Sequence, residues 1–386
     1  MRILRRLILC GVLLYLAAWA VRIYVRKYYV WLPDYVAWTF TPAETAQGPV
    51  HLFFVFADHF EPGEHYELTD RWLNEYPRLA ERHRDSLGRH PQHTWFYPAE
   101  QPLDRNMQAL QKLVAGGYGE VELHLHHKND TAESGRRKYE QGIAYFQKFG
   151  FLKSAAGATQ FAFIHGVWGL DNSNGAQFCG INRELEMLRQ LGCFADFTFS
   201  SIYFESQPSL VNAIFEATDD DRPKSYDRGV PLRVGVKPVG DLLLFEGPLR
   251  LTFSPRPRQL FVQVENGEIH EVDPVGPKRV DDWVSTRIHV QGRPEWQFLK
   301  VHAHGAESDL EAGESLGAHF EAALTHMETR YNDGKQYILH YVTAREAFNL
   351  ARAAADGKSG DPRPYYDYLI PRYAADPAPW DGVAAK

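Results

Sequence analysis

Short apolar runs alternate with amphipathic stretches along most of the chain. Residues 50–57 read VHLFFVFA, a continuous run of aromatic and β-branched residues that is typical of a buried parallel strand. Residues 104–115 carry their apolar side chains on one helical stripe. Further strands are predicted at 93–97, 121–127, 161–165, 194–199, 242–245, 298–302 and 337–341, and further helices at 69–87, 136–149, 181–191, 316–331 and 344–355. This alternation predicts an α/β fold with a mainly parallel sheet.

The number of strand and helix units indicates the architecture. Seven or eight such units fit a (β/α) barrel, and we predict a seven-stranded or incomplete barrel over residues 49–355. Residues 203–295 are richer in Pro and Gly and carry short alternating segments, which predicts an insertion that contains β-structure. Residues 356–386 are rich in Gly, Pro and Ala and are predicted to form a C-terminal tail on the surface.

The N-terminal 30 residues follow a different pattern. Residues 7–21 carry no charged side chain and lie between arginines, so residues 1–30 are predicted to be a membrane anchor or a signal segment. Ala18 and Ala20 suit a signal-cleavage site, whereas the aromatic residues that follow suit a membrane-interface belt and favour an uncleaved transmembrane helix. We therefore expect a membrane-anchored protein with its body outside the cytoplasm, in the periplasm or cell envelope. A secreted form is the alternative. Residues 31–48 are predicted to connect this helix to the body.

The charge of the body excludes one class of partner. The chain has 42 basic and 49 acidic residues. Residues 1–30 hold six of the basic residues and none of the acidic ones, which leaves 36 against 49 and a net charge of about −13 for the remainder. Nucleic-acid binding depends on Lys and Arg that neutralise phosphates. We therefore predict that nucleic acid is not a partner.

The three cysteines predict no disulfide. Cys179 and Cys193 flank the predicted helix at 181–191. A helix rises ~1.5 Å per residue, so its two ends are too far apart for a disulfide bond. We predict that both are buried free thiols.

Residues with metal-binding and acid–base chemistry recur where the predicted strands end. In VELHLHHKNDT, side-chain alternation places His124 and His126 on one face and His127 on the other. The carboxyl ends of parallel strands meet on one side of a barrel, where active sites form. The residues found at these ends are Asp58, His59, His124, His126, His127, Asp130, His165, Trp168, Asp171, Asn172, Asp196, His302, His304 and His340. Two imidazoles on one face, with carboxylates nearby, suit a divalent metal.

The order of these motifs resembles that of the polysaccharide deacetylases of carbohydrate esterase family 4 and of their wider glycoside hydrolase/deacetylase barrel superfamily. FVFADHFEP stands where the family has an Asp-Asp motif, and HLHHKND where it has a pair of metal-binding histidines. FIHGVWGLDNS takes the place of the third motif, KVHAHG that of the late His motif, and YILHYVTAREAFNL that of the closing strand and helix. The resemblance spans residues 50–355 and is loosest over 203–295.

This resemblance implies a metal-dependent hydrolase that removes N- or O-acetyl groups from a polysaccharide or another glycan. It implies a divalent metal, Zn²⁺ first, held by Asp58, His124 and His126 with Asp130 as a further ligand. Asp58, His302 and His304 become the catalytic residues. Further ligands or their supporting partners are then His59, His127, His165 and Asp196, and the sugar-binding residues are Trp168, Asp171 and Asn172.

The sequence departs from the family where the catalytic base is expected. If Asp58 is the metal ligand, the position of the base is occupied by Ala57. Glu61 or His59 then has to take the proton. If Asp58 is instead the base, His59 takes the place of the metal ligand. Two alternatives follow: a glycoside hydrolase of the same superfamily, which needs two carboxylates roughly 5 to 9.5 Å apart, or a non-catalytic, metal-stabilised carbohydrate-binding or assembly protein.

Overall fold

The structure is a computed structural model that describes residues 2–252 and 262–377. Its helices are α1 (Arg2–Val25), α2 (Leu32–Phe40), α3 (Tyr66–Ala80), α4 (Asp104–Ala115), α5 (Ala132–Gln147), α6 (Glu184–Leu191), α7 (Pro277–Val284), α8 (Asp309–Leu316), α9 (Ala318–Arg330) and α10 (Ala344–Ala355). Its strands are β1 (Val50–His59), β2 (His93–Pro98), β3 (Gly119–Leu125), β4 (Phe161–His165), β5 (Cys193–Asp196), β6 (Ile214–Ala217), β7 (Val230–Pro231), β8 (Leu242–Phe245), β9 (Arg250–Thr252), β10 (Gln263–Glu265), β11 (Glu268–Ile269), β12 (Trp296–Ala303) and β13 (Tyr337–Val342). The predicted alternation of strands and helices in a mixed α/β fold is confirmed.

Most of the strands form one large sheet in the order β11-β12-β1-β2-β3-β4-β5-β8-β6-β7. Strand β1 pairs with β12 on one side, and on its other side with β13 along its first half and β2 along its second. The strands from β12 to β8 are mutually parallel, whereas β6 and β7 are antiparallel to their neighbours. The prediction of a mainly parallel sheet is thus confirmed.

The sheet does not close into a barrel among the residues that the structure describes. To close a barrel, β8 would have to pair with β12. The edge of β8 that faces away from β5 pairs with β6 instead, and the edge of β12 that faces away from β1 pairs with β11. A closed (β/α) barrel is therefore not formed by the described residues, and the predicted count of seven strands is not confirmed. Residues 203–295, predicted to be an insertion, supply β6, β7, β8 and β11 to this sheet.

The alternation of side chains along β1 gives the sheet two different apolar faces. Phe53 lies on the inner face, with its ring centroid 5.1 Å from that of Phe298 on β12. Phe54 and Phe56 lie on the outer face and pack against Phe320 of α9. The inner faces of β1, β2, β4, β5, β8 and β12 share one buried cluster. Each strand therefore delivers alternate residues to the inner and outer sides of its carboxyl end.

The N-terminal helix is confirmed as a long apolar element. Within Ile3–Val25, an 18-residue window has a mean hydropathy of 2.0, and none of its residues is fully buried. At ~1.5 Å per residue the helix is long enough to cross a membrane. The helix is longer than the uncharged run at 7–21. It continues through Arg22 at its C-terminal end and through the first arginines at its N-terminal end. Whether it is retained or cleaved stays a prediction.

The segment predicted as a connector docks onto the body. Its helix α2 follows a short turn, and Tyr28, Trp31 and Tyr35 are buried. They pack with Val211 and Leu249 in a separate apolar cluster. The indole of Trp31 donates a hydrogen bond to the carbonyl of Ile202 at 3.3 Å. This aromatic packing fixes the end of α1 against the body.

The C-terminal tail is held by a buried arginine. Arg345 in α10 is fully buried and donates to Glu120 at 2.9 Å and to Asp367 in the tail at 2.8 Å. It also donates to the tail carbonyls of Tyr366 and Ile370. The predicted surface tail is thus tied, through residue 370, to α10 and to the start of β3, a strand in the middle of the sheet.

We predict that Arg345→Ala lowers the free energy of unfolding by about 3 to 5 kcal/mol, because it leaves buried carboxylate and carbonyl groups without their partner. Arg363→Ala is the matched control, since Arg363 pairs with Asp361 at the exposed surface. Urea unfolding followed by circular dichroism measures both. A loss no larger than that of the control would contradict this account of the tail.

Candidate functional site

A carboxylate surrounded by histidines lies at the carboxyl ends of the central strands. Oε1 of Glu61, two residues after β1, is 2.8 Å from Nε2 of His124, and Oε2 is 3.8 Å from Nε2 of His126. Nδ1 of His59 lies 4.0 Å from Oε1 of Glu61. Donor atoms of His59, Glu61 and His304 also lie within 4.8 Å of one another. We call these five residues the Glu61 pocket.

Strand alternation explains which residues reach the Glu61 pocket. His59 continues the inner face of β1, after Val55 and Ala57. On β3 the outer positions are Leu123 and Leu125, which pack against the helices, so His124 points inward. The ring of His126 lies next to that of His124, with a centroid distance of 4.5 Å. The prediction that His124 and His126 share a face is confirmed.

The charges of the pocket keep Glu61 ionised. Burial favours the neutral acid, but the facing rings of His124 and His126 outweigh it and lower the pKa of Glu61 to about 2. Burial lowers the pKa of His59 well below its usual range, and His304 lowers it further. At neutral pH the pocket therefore combines a carboxylate with a neutral imidazole, and both are competent to bind a cation.

His126 is linked to a second carboxylate, that of Glu100. Nδ1 of His126 is 2.6 Å from Oε1 of Glu100, and the side chains of both are about one-third exposed. Although burial opposes it, the hydrogen bond that His126 donates to Glu100 and the charge of Glu61 raise the pKa of His126. The two carboxylates thus lie at opposite nitrogens of one imidazole, which is poised to carry a proton near neutral pH.

The donor set of the pocket fits a divalent cation. Nδ1 of His124 is 2.8 Å from the carbonyl of Ile164, and its Nε2 is 2.8 Å from Glu61, so both ring nitrogens face oxygens that only accept. A neutral imidazole leaves one of these contacts without a proton. Nε2 of His59 is buried and has no hydrogen-bond partner. A cation bound to Glu61 and to the free nitrogen of His124 would remove this conflict, and the carbonyl of Ile164 would orient the ring of His124 from behind.

An aromatic wall borders the Glu61 pocket. The indole of Trp168 stacks on Phe204 at 4.9 Å and lies 5.9 Å from the ring of His304 and 6.2 Å from that of His59. Trp168 is partly exposed, so the wall is open to a ligand. It sits in a loop, residues 166–172, where Val167, Trp168, Asp171 and Asn172 all adopt positive φ. Such backbone persists only where its surroundings hold it.

The structure does not bring Asp58 to the two histidines, which corrects the predicted ligand set. Asp58 faces outward, one residue before His59, and accepts hydrogen bonds from His93 at 3.0 Å and from the backbone of Gly305 at 2.7 Å. A Cβ at Gly305 would lie 2.6 Å from Oδ2 of Asp58. Asp58 therefore holds the loop that follows His304, and Glu61 takes the position at the centre of the site.

Other predicted residues also lie outside the pocket. Asp171 is fully buried and accepts from the backbone of Ser225 at 2.6 Å, so it is not open to a sugar as predicted. Asn172 donates to Asn182 at 2.7 Å within the loop. Asp196 is fully buried and accepts from the backbone and hydroxyl of Thr198.

His302 is buried behind the pocket, with its ring centroid 6.4 Å from that of His59. His340, the fourth of the six residues of β13, has its Nε2 2.8 Å from Nδ1 of His51. Neither lies among the residues that surround Glu61.

A second cluster contains three predicted residues and two that were not predicted. Asp130 is 3.1 Å from Nδ1 of His127, and His165 lies beside His127. Asp130 is therefore not a ligand in the Glu61 pocket, because it follows His127 to the outer side. Glu184 and Cys179 complete this cluster. Both thiols, Cys179 and Cys193, are free and buried, as predicted.

Two functional residues were missed in the sequence. Glu100 follows the end of β2 and was detectable by the same strand-end rule that selected Asp58 and His59. Glu184 begins α6 and lies 57 positions from its partner His127. No local pattern marks it.

No protein-family model and no curated protein matches the chain. A solved structure, a GH57 branching enzyme from the hyperthermophilic archaeon Thermococcus kodakaraensis in complex with glucose, is similar over 82% of this chain and 72% of its own. The sequence identity is 13% and the TM-score 0.37. Independently of this likeness, the expected triad of Asp58, His124 and His126 is not formed, because Asp58 faces outward to His93 and Gly305. The prediction of a metal-dependent polysaccharide deacetylase is therefore wrong.

We predict that Glu100→Gln lowers the pKa of His126, because the hydrogen bond that favours the imidazolium becomes a weaker bond to a neutral amide. The ring resonances of His126, followed by NMR against pH, measure the shift. Glu67→Gln is the control, since Glu67 contacts the exposed His65 instead. An unchanged pKa of His126 would show that Glu100 does not govern its proton.

Proposed function

We propose that the protein is an enzyme that cleaves or transfers glycosidic bonds in a glycan, with the Glu61 pocket as its active site. The observation that carries the proposal is the pairing of an ionised carboxylate, Glu61, with the proton-carrying pair of His126 and Glu100. Glycosidic bond cleavage passes through a transition state with positive charge on the sugar and needs a proton on the leaving oxygen. The pocket offers one group for each task.

Glu61 stabilises the positive charge that develops on the sugar in the transition state. Its low pKa keeps it negative over the whole working range of pH, so it does not act as a proton donor. Held by His124 at 2.8 Å, the carboxylate is fixed in position before substrate binds. A fixed negative charge that faces a developing positive charge lowers the activation barrier, because the side chain does not have to move during the reaction.

His126 donates a proton to the oxygen of the leaving group. It is partly exposed and carries a proton near neutral pH, and Glu100 behind it stabilises the imidazolium. Positioned acid catalysis of this kind contributes roughly 10² to 10⁴ in rate. Glu61 and Glu100 thus lie at the two nitrogens of one imidazole, and in this proposal the imidazolium takes the role of the acid that a glycosidase needs.

Trp168 and Phe204 support a sugar as the substrate. Their stacked rings give a flat apolar surface beside His59 and His304. Aromatic faces bury much area at little entropic cost, and a sugar ring has an apolar face of similar size. Asp171 and Asn172 contribute by holding this loop and not by binding hydroxyl groups.

The cofactor proposed for this pocket is a divalent cation, Zn²⁺ first. Glu61 would hold it together with either His124 and His126 or His59 and His304, since the donor atoms of each of these two sets lie within 4.8 Å of one another. Bound there, it would supply Lewis acidity towards substrate oxygens.

We also propose that α1 anchors the enzyme in a membrane and that the body acts on a glycan of the cell envelope.

We predict that Glu61→Gln lowers glycan cleavage by roughly 10²-fold or more, because the fixed negative charge is removed. Full-length protein is incubated with a panel of oligosaccharides, and new reducing ends or transfer products are measured. Glu67→Gln, an exposed change in the next helix, is the control. Cleavage by wild type that persists in folded Glu61→Gln would contradict the assignment, and binding without turnover in both proteins would indicate a binding protein.

We predict that removal of divalent metal by a chelator lowers this activity and that stoichiometric Zn²⁺ restores it. The chelator acts on the site because His126 and Glu61 are open to solvent. Activity that survives chelation, in protein shown to be free of metal, would eliminate the cation from the pocket and leave the roles of Glu61 and His126 to be tested separately.

A further inference from the structure

Behind the Glu61 pocket, four side chains with metal-binding atoms converge in the protein interior. His165, Cys179 and Glu184 are fully buried and His127 is nearly so. One donor atom from each lies within 4.8 Å of those from the other three. We propose that this cluster, which we call the Cys179 cluster, is a second and structural metal site that takes Zn²⁺. The proposal does not rest on the proposed function.

The distances suit four ligands around one ion. Nε2 of His127 is 2.8 Å from Oε1 of Glu184 and 2.9 Å from Nε2 of His165. Sγ of Cys179 and Nε2 of His165 are each 3.5 Å from Oε2 of Glu184. Ligands in tetrahedral zinc sites, with bonds of about 2.0 to 2.3 Å, lie roughly 3.3 to 3.8 Å apart. Only small side-chain shifts separate the cluster from that arrangement.

The hydrogen bonds around the cluster leave lone pairs at its centre. Nδ1 of His165 is 2.7 Å from the carbonyl of Gly166, which only accepts, so Nδ1 carries the proton. Nδ1 of His127 is 3.1 Å from the carboxylate of Asp130 and carries a proton for the same reason. Their Nε2 atoms then face each other at 2.9 Å. If both imidazoles are neutral, their two lone pairs face each other there. A metal ion between them would form a bond with each nitrogen.

Partners behind the ligands fix their orientation. Asp130 is itself held by Lys138 at 2.6 Å and by Ser134 at 2.7 Å. Glu184 accepts from the hydroxyl of Tyr139 at 2.8 Å and from the backbone of Asp171 at 2.7 Å. Such carboxylate and carbonyl partners behind ligands are typical of built metal sites. A mixed set of nitrogen, sulfur and oxygen donors is one that zinc accepts.

The ligands come from four separate segments, which gives the site a structural role. His127 follows β3, His165 ends β4, Cys179 lies in the loop before α6, and Glu184 begins α6. His165 directly precedes the loop 166–172, with its positive φ angles, and that loop carries Trp168 to the Glu61 pocket. An ion in the Cys179 cluster therefore ties together the loops that build the wall of the active site.

The competing explanation is a proton in place of the metal. An imidazolium at His127 donates from Nδ1 to Asp130 and from Nε2 to Glu184, and that also satisfies the contacts. In that case the thiol of Cys179 stays protonated. A metal, by contrast, binds the thiolate. The state of Cys179 therefore distinguishes the two explanations.

Co²⁺ provides the probe, because thiolate-bound Co²⁺ absorbs in the near ultraviolet by charge transfer from sulfur. Full-length protein in detergent is reduced, stripped with a chelator and titrated with Co²⁺. We expect one thiolate-bound Co²⁺ per chain, its displacement by Zn²⁺, and a melting temperature several degrees higher with metal. The Glu61 pocket contains no sulfur and does not contribute to this band.

Three variants assign the band. Cys179→Ser is expected to abolish it, whereas Cys193→Ser, which changes the other buried thiol, retains it. Glu61→Gln also retains it, so failure of the proposed function leaves this result unaffected. Absence of the band in wild type, with no change in melting temperature on adding metal, overturns the proposal. So does a band that persists in folded Cys179→Ser. Should Cys179→Ser fail to fold, the titration of wild type decides alone.

Discussion

The alternation of side chains along the parallel strands is the constraint on which both clusters depend. Adjacent residues in a strand point to opposite faces, and a step of one residue changes the environment completely. Asp58 therefore binds the outer loop at Gly305 while His59 reaches the Glu61 pocket. At the end of β3, the same rule sends His124 inward, and His127 joins the outer Cys179 cluster.

Both clusters place a carboxylate among imidazoles. Burial alone would favour the neutral acid, but the facing histidines lower the pKa of Glu61 and of Glu184 to about 2. An ionised carboxylate inside a protein has to be compensated by a positive partner. In the Glu61 pocket a substrate, a cation or an imidazolium fills that need. The Cys179 cluster is closed to solvent, so the positive partner of Glu184 has to be part of the folded protein. The loop that carries Trp168 joins the Cys179 cluster to the Glu61 pocket.

Much of this fold follows from local patterns in the sequence. Strands β1 to β5, β8, β12 and β13, the apolar N-terminal helix, the shared face of His124 and His126 and the free thiols were predicted because each depends on neighbouring residues. The open sheet was not, because pairing of β8 with β6 is a long-range contact that the strand count does not encode. Which face of β1 is inner also depends on its partners, so the sequence alone did not distinguish Asp58 from His59. Glu184 reaches His127 only through the packing of α6.

Anomalous diffraction at the zinc edge, from crystals of full-length protein grown with Zn²⁺, tests most directly whether strand alternation sorts the histidines into two sites. We predict two peaks, one beside Glu61 among the histidines of its pocket and one among Cys179, His165 and Glu184. A peak coordinated by Asp58 together with His124 and His126, or no peak at either cluster, would contradict this account.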